Sequence, residues 1–78
     1  MQLLVQTSAS DLDAWKSAFD ARAEDIADAG LTTLQIWRGE DAAILVLFEV
    51  HNRERTTDWL GRQVAFGTAL TAQFLETL

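Results

Sequence analysis

Cysteine and proline are both absent from this chain, and histidine occurs once, at position 51. The first absence excludes a disulfide framework. With a single imidazole as well, no set of ligands stands at the spacing a structural metal needs. Neither a metal nor a cofactor is expected. Basic residues are scarce: six Lys and Arg stand against twelve Asp and Glu, a formal net charge of −6 and a pI of about 4.4. A field of that sign repels phosphate backbones and anionic headgroups, so nucleic acid and membrane surfaces are poor partners. No stretch approaches the roughly 20 apolar residues that span a bilayer, and the first residues lack the basic flank and apolar run of a signal peptide; the expectation is a cytoplasmic protein. Gly39, Gly61 and Gly67 are isolated, so no glycine-rich phosphate loop is present.

What is present is apolar. The chain has 78 residues, read as a single domain over 1–78, and 49% of them are hydrophobic, including Trp15, Trp37 and Trp59. A domain this small buries a modest fraction of its surface and needs a supplement to its core. With disulfides and metal set aside, association with a second copy is the supplement that remains. The segment 44–51, Ile-Leu-Val-Leu-Phe-Glu-Val-His, carries the strongest pattern. At a period of two, Ile44, Val46, Phe48 and Val50 share one face while Leu45, Leu47, Glu49 and His51 share the other. One face belongs to a core, and the other starts apolar and turns ionisable.

The remaining elements follow in order. Residues 2–7 read as a strand, ended by Thr7-Ser8-Ala9-Ser10. Ser10 is the expected N-cap of a helix whose stripe is Leu12, Trp15, Phe19, Ala23 and Ile26, with Gly30 at its C-terminal end. Residues 31–38 and 42–51 read as a hairpin around Gly39-Glu40-Asp41, with Ile36 opposite Ile44 and Leu34 opposite Val46 on the core face. Asn52 caps a second helix running through Trp59 and Leu60 to about Phe66, and residues 70–78 fit a closing strand better than a continuing helix. Strand, helix, strand, strand, helix, strand is the order of a ferredoxin-like α+β unit: an antiparallel sheet with two helices on one side. Its other side would expose Leu4, Trp37, Leu45, Leu47 and Leu75, a patch that a second copy could cover.

Four stretches carry a resemblance: Asp11-Leu12-Asp13-Ala14-Trp15-Lys16-Ser17-Ala18-Phe19, Ala29-Gly30-Leu31, Val46-Leu47-Phe48-Glu49-Val50 and Phe74-Leu75-Glu76. Together, over almost the whole chain, they resemble the dimeric α/β-barrel superfamily, nearest the small proteins related to antibiotic-biosynthesis monooxygenases and polyketide cyclases. The resemblance implies a homodimer whose two sheets form a barrel, with a ligand pocket between sheet and helices. It implies activities among cofactor-independent oxygenation of phenolic or quinone-like substrates, cyclisation and haem degradation. No catalytic residue carries over, because the matching positions belong to the scaffold. The chain departs from the family in its short second helix and following loop.

Candidate chemistry lies on the second face of the sheet. Glu49 and His51, two apart on one strand, are the expected catalytic pair: a carboxylate orienting an imidazole that acts as general base on a phenol or carbon acid, with oxygen or an internal carbonyl as the next acceptor. The plainer account is a solvated polar pair at the rim. Gln6, Gln35, Trp37, Leu47 and Gln73 are the expected substrate-binding residues, an aromatic wall with amide donors suited to a flat, oxygenated ring; the plainer account is a dimer interface with paired glutamines. Trp15, Phe19 and Trp59 read as core. Asp20, Glu24, Asp25 and Asp28 read as a solvated helix face. The functional expectation is a homodimer that binds a small hydrophobic or aromatic ligand, as a cofactor-independent monooxygenase or cyclase. The alternative is a non-catalytic ligand-sensing or assembly module.

Overall fold

The computed structural model describes residues 1–62 and 71–78. In chain order these form β1 (Gln2–Ser8), α1 (Leu12–Ala21), α2 (Ala23–Asp28), β2 (Leu31–Arg38), β3 (Ala43–Val50), α3 (Arg53–Arg62) and β4 (Thr71–Leu75). The strands make one open sheet in the order β2-β3-β1-β4, with every neighbouring pair antiparallel. This α+β architecture is compatible with the expected ferredoxin-like unit. The expected strand at the C-terminal end is present as β4; the segment 63–66, expected to complete the second helix, lies outside the described residues. No described helix is long and apolar enough to cross a membrane.

Alternation along the two central strands sorts the sheet into faces. Leu3, Val5 and Thr7 of β1 and Ile44, Val46 and Phe48 of β3 are buried, and the residues between them are not. The helices pack on this buried face. The Phe48 ring stacks on Phe19 of α1 at 6.3 Å and meets Trp59 of α3 edge-on at 6.5 Å, while Trp15 stacks on Phe19 at 5.0 Å. Such pairs contribute about 0.5–1.5 kcal/mol each beyond their buried area. Arg53 at the start of α3 lies over the Phe74 ring of β4 at 4.5 Å, tying the last strand to the helical layer.

Helix ends follow local chemistry. Asp11, rather than Ser10, is the N-cap of α1: its Oδ1 accepts from the Ala14 N–H at 3.0 Å, and a carboxylate there also meets the positive end of the helix dipole. The single expected helix is split at Arg22, and Ala23, expected in the apolar stripe, is exposed while Ile26 and Ala29 are buried. Asn52 caps α3 as expected, accepting from the Arg55 N–H at 3.0 Å. Gly30 has φ +78°, and its N–H donates to the Ala27 carbonyl. The buried Thr56 hydroxyl donates to the Ala29 carbonyl at 2.7 Å, stapling α3 onto the end of α2.

The hairpin differs from expectation in an instructive way. The ladder extends one step past β2, with the Gly39 N–H donating to the Ala43 carbonyl at 2.8 Å, so the loop has three residues, 40–42, one position later than expected, and Asp41 and Ala42 in it have positive φ. Ile36 therefore pairs with Val46, Trp37 with Leu45 and Gln35 with Leu47. At the far end the register is offset by one: Leu31 pairs with Val50 and Thr33 with Phe48, and the ladder is irregular between Thr33 and Gln35. Leu31 and Ile36 differ by an odd number, so an unbroken period of two cannot send both to the core. The irregularity takes up one residue and resets the phase. Leu34 is the residue spent, and it is 45% exposed instead of lying opposite Val46.

Two outcomes test this description. Gly30→Ala should lower stability by about 1–3 kcal/mol, since its conformation is left-handed and a Cβ there would lie 3.0 Å from Asn52 Cβ and 3.1 Å from Asn52 N; the urea midpoint measures it. Leu34→Ala should cost within about 0.5 kcal/mol, whereas Val46→Ala at the centre of the core should cost about 2 kcal/mol. Equal losses at 34 and 46 would contradict the register.

Candidate functional site

Among the described residues no element covers the second face of the sheet. Cross-strand pairing arranges that face in three rows. Trp37, Leu45, Gln6 and Thr71 form the row nearest the β2–β3 turn. Gln35, Leu47, Leu4 and Gln73 form the middle row, with two leucines at its centre and an amide at each end. Thr32, Glu49, Gln2 and Leu75 form the last. All five residues expected to bind substrate (Gln6, Gln35, Trp37, Leu47 and Gln73) thus share one surface, drawn from four strands. Leu4, Leu45, Leu47 and Leu75 are half-buried and Trp37 is 44% exposed. The hairpin register moved by two residues, from Ile36 opposite Ile44 to Ile36 opposite Val46, and an even shift keeps Gln35 and Trp37 on this face.

The expected catalytic pair is placed differently. His51 lies just beyond β3, exposed, with its backbone N–H donating to the Gly30 carbonyl at 2.7 Å. Its Nε2 sits 2.8 Å from the Thr32 Oγ1. Glu49 instead meets the Met1 ammonium, at 3.4 Å. Period-two reasoning put Glu49 and His51 on one face, and they do lie at the same end of the sheet. The strand stops at Val50, however, and a bend carries the imidazole toward β2. Thr32 is the cross-strand neighbour of Glu49, so hydroxyl, imidazole and carboxylate gather at one corner of the last row. Sequence reasoning missed Thr32; the signal that could have found it is its position in β2 opposite Glu49, legible once the register is known.

Three depressions adjoin the sheet. A groove of about 600 Å³ follows the β2 edge beneath α1 and α2, over Phe19, Ile26, Leu31 and Ile36. A cleft of about 300 Å³ next to it is lined by Leu12, Trp15, Ile36, Trp37 and Arg38. A polar depression of about 410 Å³ lies at the turn end of the open face, bounded by Gln6, Ser8, Thr71, Glu40 and Asp41. His51 lines none of these three. Among the described residues no group of three or more His, Asp or Glu side chains could hold a metal ion.

The turn that bounds the polar depression carries local strain. Ala42 at φ +64° adopts a conformation in which its Cβ crowds the following carbonyl, and its carbonyl accepts from the Ala9 N–H at 3.0 Å, locking the turn to the end of β1. Ala42→Gly should therefore raise stability by about 0.5–1 kcal/mol, the strain removed exceeding the extra freedom of glycine in the unfolded chain; thermal unfolding of the two proteins side by side checks it. No protein-family model, no curated protein and no solved structure matches this chain.

Proposed function

We propose that this protein is a homodimer of the dimeric α/β-barrel type, associating through its open sheet face and holding a small aromatic or polyketide-like molecule against that face. The observation that supports the reading most is the three-row surface: five large apolar residues, Leu4, Leu45, Leu47, Leu75 and Trp37, on the side of the sheet opposite the helices. A patch of this kind on so small a domain favours a partner. A second copy supplies it symmetrically, because a two-fold axis meets the same patch with itself. Gln35 and Gln73 at the ends of the middle row, with Gln6 in the row beside it, offer amide donors and acceptors to a ring stacked on Trp37.

On this reading His51 is the general base at the corner of the chamber. It takes the proton of a phenol or carbon acid, and the electron pair stays on the substrate. Molecular oxygen then serves as oxidant in a monooxygenase, or an internal carbonyl as electrophile in a cyclase, with no bound cofactor. A second reading has its own support in the groove beneath α1 and α2, whose volume falls in the range of small-molecule sites: the ligand lies between sheet and helices, and the sheet face serves association alone.

Sedimentation at micromolar concentration should give a dimer for the wild-type chain and a monomer for Leu47→Asp, which sets two carboxylates against each other at the centre of the interface. A folded 8.7 kDa wild-type particle at that concentration would remove the chamber. With 1-naphthol as probe, Trp37→Ala should weaken binding by about tenfold, as loss of a stacking partner and its apolar contact area predicts. An unchanged affinity, with ligand-induced NMR shifts at Phe19, Ile26 and Leu31, would move the ligand to the groove. An enzyme should lose turnover on His51→Ala while staying dimeric; a ligand-sensing or assembly module should keep its association and its ligand in that variant.

A further inference from the structure

The hydroxyl beside the only imidazole is the feature that the proposed function leaves unused. His51 is held at two points, by its backbone N–H on the Gly30 carbonyl at 2.7 Å and by its ring Nε2 on the Thr32 Oγ1 at 2.8 Å. Thr32 stands on the edge strand β2, in the pleat directly across from Glu49. A β-branched side chain within a strand has few χ1 choices, so this hydroxyl is a rigid anchor rather than a swinging one. Among the described residues, Nδ1 of His51 has no protein partner and the ring is exposed.

We infer that Thr32 is a positioning residue for His51, holding Nε2 and presenting Nδ1 as the proton-accepting atom of the site; this rests on the reading of His51 as the base. A hydroxyl can accept or donate toward an imidazole nitrogen, and the two directions differ in what survives a proton transfer. With Nε2–H donating to Thr32 Oγ1, the lone pair is on Nδ1. When a phenol O–H gives its proton to Nδ1, the pair stays on the phenolate oxygen and the cationic ring keeps the same Nε2–H bond. With the threonine donating instead, the lone pair on Nε2 is occupied, and protonation there requires the hydroxyl to rotate from donor to acceptor. The first arrangement keeps one geometry through both charge states. Glu49 does not orient the ring; its carboxylate pairs with the Met1 ammonium.

Regiochemistry of alkylation tests this without reference to turnover. The folded protein is treated with iodoacetamide at pH 8, digested, and the ratio of Nδ1 to Nε2 adducts on His51 is read by mass spectrometry against synthetic standards. The wild-type chain should be modified predominantly at Nδ1. Thr32→Val, which keeps the β-branched shape and loses the hydroxyl, should lower the ratio by about fivefold, the factor that a hydrogen bond of ordinary net strength represents. Thr32→Ser should restore it. Predominant Nε2 modification of the wild-type chain, or an identical ratio in Thr32→Val, would overturn the assignment. If Thr32→Val alters its circular dichroism, the Thr32→Ser and wild-type ratios still decide the matter: both must favour Nδ1. Failure of the base reading itself appears elsewhere, as unchanged turnover in His51→Ala.

Discussion

Burial of one aromatic ring organises this molecule. Phe48 is fully buried on β3, stacked on Phe19 from the first helix and met edge-on by Trp59 from the third, so a single side chain gathers the sheet, α1 and α3. A strand has only two faces. Once Phe48, with Val46 and Ile44, is committed to the helices, Leu45, Leu47 and Glu49 must point the other way, and the antiparallel neighbours bring Leu4, Gln6, Gln73 and Leu75 to the same surface. The candidate site is the obligatory reverse side of the core.

The β2–β3 hairpin shows what that commitment demands of its neighbours. Leu31 and Ile36 both turn to the helical side although their spacing forbids it in a regular strand, and the irregularity at Leu34 supplies the missing half-period. At the other end, Asp41 and Ala42 take left-handed conformations to close the turn. Both departures from ideal geometry lie at the edge strand, where one side of the ladder is open and an extra residue costs least. Their result is one of placement: Gln35 and Trp37 remain on the open face, and Thr32, beyond the irregularity, comes opposite Glu49.

Charge is distributed in keeping with these two faces. Acidic side chains crowd the helix surfaces, where Lys16–Asp20 and Arg22–Asp25 contacts soften them. Among the described residues, the three rows of the open face carry one carboxylate, Glu49, and that one is partnered by the Met1 ammonium. These rows of leucines, amides and a tryptophan, with the Glu49 charge balanced, lack the acidic excess of the helix surfaces. The imidazole at its corner is tethered to a hydroxyl rather than to the carboxylate.

Much of this was legible in the residues alone. The alternation of 44–50 determined which side chains would be core and which would form the open surface. The Asn52 cap, the Gly30 terminator and the closing strand were set by chemistry within a few residues of each position. Tertiary structure decided the rest, for one reason: it depends on how separate segments are phased against each other. The choice of Asp11 over Ser10 as cap, the break at Arg22, the residue surrendered at position 34 and the partner taken by His51 are not encoded in any one local pattern. Local periodicity assigns a side chain to a face; only the register between strands and the bend after Val50 brings the His51 ring to Thr32 and leaves Glu49 to the Met1 ammonium.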